Sequence, residues 1–232
     1  MPDLLTILDE NDQYVVVDKP VGLLSVPGRG EHKLDSVTTR VRELYPDATG
    51  SVTVHRLDQD TSGIMVLALN AASHRALSRQ FMHRKTGKRY EAILDGDVLP
   101  SDGPDGPDEG AVELPLIVDW PNRPKQMVCC ERGKPARTLW RVLERFTSPE
   151  GWPLTRIEFR PITGRGHQLR VHSMTPRNEG GIGCAILGDP LYSQLDGDGN
   201  AKRPRMMLHA AMLSFWHPTT GEWTVYESPA PF

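Results

Sequence analysis

Cysteine is scarce in this chain of 232 residues: Cys129 and Cys130 are adjacent, Cys184 stands alone, and no C-x-x-C spacing occurs. Neither a disulfide framework nor a thiol-ligated metal site can be built from that set, so a reducing compartment, the cytoplasm, is expected. Long apolar runs are missing too. The longest, residues 64–69, is far short of the ~20 residues of a membrane helix. Asp3, Asp9 and Glu10 stand where a signal peptide carries cations, so no membrane partner is expected. There is no G-x-x-x-x-G-K-[ST], and neither Gly28-Arg29-Gly30 nor Gly181-Ile182-Gly183 extends to G-x-G-x-x-G. His167 and His172 lack the H-E-x-x-H arrangement, and Asp60-Thr61-Ser62-Gly63 is neither the contiguous Asp-Thr-Gly of aspartic proteases nor repeated. No nucleotide cofactor is therefore implied, and a catalytic zinc site is not supported.

Proline and glycine are plentiful, 20 and 21 residues, which points to many turns and a strand-rich fold. A length of 232 residues suits one large domain or two small ones at the usual ~150 residues each. The formal net charge of −3 seems at first to disfavour a phosphate-rich partner, but it averages over opposite blocks. Residues 61–90 contain no acid, and Arg75, Arg79, Arg84, Lys85, Lys88 and Arg89 give them +6. Residues 91–119 contain no Lys or Arg and nine acids, giving −9, and residues 121–145 return to +5. A charge run is ordinarily a solvated face, and the Pro/Gly-rich residues 100–110 read as an exposed acidic loop.

Tyr14-Val15-Val16-Val17 reads as a buried strand stopped at Pro20. Val37, Val41 and Leu44 recur at helical spacing over residues 35–45, with Asp35 or Ser36 as cap and Pro46 as terminator. Residues 52–54 and 64–69 read as strands bracketing a polar connection. A helix over residues 71–84 places Leu77 and Phe81 inward and Arg75 and Arg79 outward. Strands are expected at residues 90–94, 112–118, 126–130, 137–145, 154–160, 207–214 and 223–226. Strands that outnumber helices without strict alternation define an α+β fold, an extended mixed, mostly antiparallel sheet with flanking helices and loops.

Two segments concentrate chemistry. His55-Arg56-Leu57-Asp58, followed by Thr61-Ser62-Gly63, places an acid on a connection between strands, a common catalytic position. The ordinary alternative is an Asx-turn with Gly63 at positive φ. The second segment, residues 163–172, holds Arg165, His167, Arg170 and His172 with Gly164 and Gly166, a composition suited to gripping an anion. Its ordinary alternative is a turn leading into a basic helix or strand.

With Lys88-Arg89-Tyr90-Glu91-Ala92, Gly188-Asp189-Pro190-Leu191-Tyr192 and Leu208-His209-Ala210, these segments form an ordered series of motifs. The series resembles the RluA family of RNA pseudouridine synthases from about Asp9 to the C-terminus. The runs Lys19-Pro20-Val21-Gly22-Leu23-Leu24-Ser25 and Asp119-Trp120-Pro121-Asn122-Arg123-Pro124-Lys125-Gln126 are most similar to its branch with dual specificity for 23S rRNA and tRNA. The resemblance implies a single pseudouridine synthase catalytic domain over residues 1–232, with no appended N-terminal S4-like domain. It implies cleavage of the C1′–N1 bond of a uridine and joining of C5 to C1′, without cofactor or metal.

The resemblance matches Asp58 to the catalytic aspartate, Arg165 to the arginine that partners its charge, and Tyr90 to the tyrosine that stacks on the target base. RNA contacts are expected from Arg56 and His55, from Arg75, Arg79, Arg84 and Lys88, and from His167 and Arg170. The implied partners are tRNA and 23S rRNA loops, whose bases flip out at least cost; no protein partner is implied. Residues 176–185 are longer than the family's short turn, and residues 100–110 are unusually acidic. Two other classes compete with this reading. An RNA-binding module on a degenerate scaffold would lack Asp58, Tyr90 or Arg165, and a metal-dependent hydrolase would use Asp58, Asp60 and the histidines.

Overall fold

A computed structural model describes residues 5–101, 103, 105–193 and 205–232. In chain order the strands are β1 (Thr6–Glu10), β2 (Tyr14–Lys19), β3 (Ser62–Ala68), β4 (Gly87–Asp95), β5 (Glu109–Val112), β6 (Leu116–Val118), β7 (Gln126–Val128), β8 (Thr138–Thr147), β9 (Pro153–Pro161), β10 (Leu208–Trp216) and β11 (Trp223–Glu227). The helices are α1 (Val37–Leu44), α2 (Ala71–Met82) and α3 (Gln168–Met174). The chain divides into two compact units, Met1–Lys88 with His209–Pro231, and Arg89–Leu208 with Phe232. The mixed, mainly antiparallel sheet with helices establishes the α+β class.

In the first unit the strands run β1-β2-β3-β10-β11, all pairs antiparallel except β3 with β10. All seven positions of β3 are buried, as for a central strand covered on both faces. Tyr14, Val16, Ile64, Val66, Leu77, Leu213 and Phe215 form one core cluster, with Phe81 of α2 packed against it. The Ser36 hydroxyl accepts from Thr39 N–H and the Asn70 side chain accepts from Ser73 N–H, capping α1 and α2. Arg75 and Arg79 are exposed on α2.

In the second unit the antiparallel order is β4-β9-β8-β5, and β6 pairs with β7 as a separate hairpin. Ala92, Leu94, Val98, Trp140, Ile157, Phe159, Leu169 and Ile186 are among its core residues. Two segments singled out in the sequence are joined. Arg177 donates to the carbonyls of Leu99, Pro100 and Ser101 at 2.6, 2.7 and 3.2 Å, and Arg145 bonds both Asp97 and Asp108. The acidic segment is thus strapped to arginines over its described residues; positions 102 and 104 lie outside them.

Several expected elements differ. Residues 52–54 form no strand, only the bridge Thr53 to Leu67, because the Val66 N–H that a strand carbonyl would take is accepted by His55 Nε2 at 3.1 Å. The expected strand over 112–118 is broken at Pro115, which has no N–H to donate, into β5 and β6. β1 was not anticipated: it is an edge strand with four of its five residues exposed and no inward alternation to read. Residues 168–174 resolve as a helix.

Gly63 is required at its position. Its φ is 114°, and a Cβ there would lie 2.4 Å from Ala210 O and 2.5 Å from Ala210 N, on the parallel neighbour β10. Gly151, at φ 90°, has open space around it. Gly63→Ala is expected to cost at least about 2 kcal/mol in urea unfolding, and Gly151→Ala about 1 kcal/mol. Equal costs at the two positions would contradict the close approach to β10.

Candidate active site

The connection that carries Asp58 is held from beneath by two buried side chains. Lys19, wholly buried at the end of β2, donates its ammonium to the carbonyls of Pro20 at 2.9 Å, Leu23 at 2.7 Å and Gln59 at 2.8 Å. Ser25 Oγ donates to Leu57 O at 2.6 Å and accepts from Leu57 N–H at 3.0 Å. Gly22 N–H donates to Gln59 O and the Gln59 side chain donates to Gly22 O, so the two loops are bonded in both directions. Thr61 N–H closes a turn on Asp58 O at 3.1 Å. Asp58 is half-buried on this rigid turn, flanked by carbonyl-bound neighbours whose own side chains face away from solvent or are tied down.

Immediately after the turn, a buried polar chain supports the start of β3. His209, opposite Ser62 in the β3–β10 register, shares a 2.8 Å hydrogen bond from Nδ1 to Ser62 Oγ. His209 Nε2 lies 3.2 Å from Ser228 O, and Ser228 Oγ donates to Asp18 Oδ2 at 2.5 Å. A carbonyl only accepts, so Nε2 carries a proton. The chain of bonds gives buried His209 and Ser62 their partners and fixes where β3 leaves the Asp58 turn.

Tyr90 and Arg165 belong to the second unit. Tyr90 is on β4 opposite Phe159 of β9, half-buried against the core. Arg165 lies in the loop before α3, where its Nε donates to Pro135 O at 3.1 Å and its backbone N–H donates to Gln168 Oε1 at 3.0 Å. Buried Gln168 also accepts from Thr163 Oγ1 and donates to Arg137 O and Thr138 Oγ1, which clamps the glycine-flanked loop at both ends. His167, with φ 51°, turns the chain into α3, and its Nδ1 shares a 2.8 Å hydrogen bond with Tyr192 OH.

Three residues expected at RNA behave differently from simple surface cations. Arg170 is 2% exposed and holds Asp189 bidentately at 2.7 and 2.6 Å, while Asp189 also accepts from the N–H groups of Leu191 and Tyr192. In this arrangement Arg170 is a structural clamp that joins α3 to the Gly188–Tyr192 turn. His55 stacks on Phe81 and accepts from Val66 N–H, and burial, followed by the charge of Lys88, pushes its pKa down to about 3. Its ring is neutral and is engaged by Phe81 and the Val66 N–H. Lys88 is half-buried, and burial, then the charge of Arg84, lowers its pKa. Arg56, Arg75, Arg79 and Arg84 are exposed in the same unit.

Residue-by-residue reading missed Lys19, Ser25, Gln168, Asp189 and His209 as supports of the site. A signal for Lys19 was present: strand alternation places it on the face of buried Val15 and Val17, where an ammonium needs acceptors. Among the described residues, no three His, Cys, Asp or Glu side chains group to hold a metal ion, and no helix is long and apolar enough to cross a membrane.

Comparison with known proteins places these features in a class. Residues 13–174 match the RNA pseudouridylate synthase family. The chain is 47% identical over 228 residues to the dual-specificity RNA pseudouridine synthase RluA of Escherichia coli K12, covering 98% of this chain and 94% of that one. It is 42% identical, with the same coverage, to the RluA of Pasteurella multocida. The solved structure of human RNA pseudouridylate synthase domain containing 1 superposes with a TM-score of 0.75 at 27% identity, covering 98% of this chain and 84% of that one. The chain belongs to the RluA family of RNA pseudouridine synthases. It is thereby an isomerase acting on RNA uridine.

The neutral His55 has a thermodynamic consequence. Its folded pKa of about 3 lies below the unfolded value of 6.5, so between those values the unfolded chain binds the extra proton. The contribution of His55 to stability is complete above pH 6.5 and declines as pH falls toward 3. The urea midpoint of the wild type should drop more steeply from pH 7 to pH 5 than that of His55→Gln; parallel curves would show that the ring is protonated in the folded state.

Proposed function

We propose that this chain, acting in the cytoplasm as one catalytic domain, isomerises uridines in compact RNA loops. Its substrates on this reading are a uridine at the start of the anticodon loop of certain tRNAs and one in a 23S rRNA loop. The observation that carries the substrate class is the 47% identity across nearly the whole chain to a dual-specificity enzyme. Asp58 is the carboxylate that acts on the sugar of the extruded uridine. Its support is the Lys19 and Ser25 anchorage, which makes the Asp58 turn stiffer than its half-exposed setting would otherwise allow. Pre-positioning of that kind is worth much of a barrier in a reaction without a cofactor.

The atoms balance within the nucleotide. The C1′–N1 bond breaks, the uracil turns, C5 bonds to C1′, the C5 proton leaves to solvent, and N1 takes up a proton. Tyr90 holds the detached ring through its aromatic face, and Arg165 is the cation of the reaction. Arg56 holds the rearranged loop, and Arg75, Arg79 and Arg84 neutralise phosphates.

Release of tritium from C5-labelled uridine in tRNA measures the reaction directly. Asp58→Asn is expected to lower the rate about a thousandfold or more while RNA binding persists. Release at the wild-type rate would remove Asp58 from the chemistry.

A further inference from the structure

The hairpin β6–β7 ends in a loop whose shape is set by its own backbone. Asp119 N–H donates to Lys125 O, Asn122 N–H to Asp119 O and Lys125 N–H to Asn122 O, all at 3.0–3.1 Å, and the Asn122 amide donates to Asp119 Oδ2 at 2.9 Å. On this built loop Trp120 is 66% exposed, and the Arg123 guanidinium carbon lies 3.1 Å from the centroid of its ring. Leaving an indole in water forgoes the burial that normally places tryptophan inside, and a surface cation–π contact returns only about 0.5–1 kcal/mol. The other exposed tryptophans differ in setting. Trp216 and Trp223 pack on each other, and Trp152 lies at the turn between β8 and β9, whereas the segment after Trp120 carries Arg123, Lys125, Arg132 and Lys134.

The hairpin hangs from the same frame as Arg165. At its base Leu116 is buried with Ala136, Val171 and Tyr192, and β6 exchanges two backbone bonds with Lys134. Gln126 N–H donates to Tyr192 OH at 2.7 Å, and that hydroxyl also bonds His167, two residues beyond Arg165. Arg165 itself donates to Pro135 O, the residue after Lys134. An aromatic face flanked by cations, rigidly coupled to a residue assigned to the reaction, matches the chemistry of an unpaired nucleotide. Its base offers a π-face and its phosphates offer anions.

We propose that Trp120, backed by Arg123, is a stacking platform for an unpaired base of the substrate RNA. The proposal rests on the reading that the chain works on RNA loops, and it identifies the element that selects unpaired RNA over duplex. Stacking tolerates any base, so the platform selects loop structure and not sequence.

The test uses the full chain and a stem–loop RNA carrying 2-aminopurine in its loop, with a loopless duplex RNA for comparison. Trp120→Ala should weaken stem–loop binding about 5- to 100-fold, abolish the 2-aminopurine quench, and leave duplex binding and the melting temperature unchanged. Trp120→Phe should recover most of the affinity. The salt dependence should keep its slope in Trp120→Ala and flatten in the Arg75→Gln, Arg79→Gln double variant. Stem–loop affinity within twofold of wild type in Trp120→Ala, or an equal loss on duplex, would overturn the platform. A wild-type chain that binds the stem–loop through Trp120 yet forms pseudouridine in no tRNA or rRNA would overturn the proposed function and leave the platform standing.

Discussion

An ammonium group sealed from water must be answered by acceptors, and the first unit is arranged around one. Lys19 is fully buried, and its nitrogen draws together carbonyls from Pro20, Leu23 and Gln59, two loops far apart in sequence. An unanswered charge at that depth would cost several kcal/mol, so the Asp58 connection cannot drift from β2 without exposing that penalty. Ser25 repeats the device in neutral form by bonding both backbone groups of Leu57. The polar turn that offers Asp58 is consequently stiff although its side chains are partly solvated. Rigidity has been assembled where loop composition alone would predict motion.

The family motifs, read this way, are mostly joints. The pairing of Arg170 with Asp189 explains why a basic segment and a distant Gly-Asp-Pro turn occur together: each is the other's buried counter-charge. His209 occurs in a strand motif because Ser62, directly across the parallel pair, needs a partner beneath the turn. Arg177 connects the segment 176–185 to residues 99–101. A long 176–185 segment and an acidic 100–110 segment therefore form one feature, with the arginine from the first satisfying carbonyls of the second.

Much of this was legible in the residues. The Val-rich run of β2, the Ser36-capped α1 and the outward arginines of α2 follow from period and capping chemistry, and their positions agree with the structure within a few residues. What could not be read was which polar side chains turn inward. Arg170 and His55 have the composition of an RNA-binding surface, and nothing local distinguishes them from Arg165 or Arg56. Their burial depends on Asp189, 19 residues away, and on Phe81 and the Val66 N–H that His55 accepts. The same non-local bond removed the strand expected at residues 52–54. Tertiary partners, absent from any window of sequence, decided each case.

On the proposed function, a stiffly held Asp58 carries the isomerisation of specific RNA uridines. The most direct measurement is a pseudouridine map of tRNA and 23S rRNA from cells whose chromosomal copy encodes Asp58→Asn, set against the map from wild-type cells. Discrete loop positions are expected to lose pseudouridine completely while the protein level is maintained. Identical maps in the two strains would contradict the proposed function.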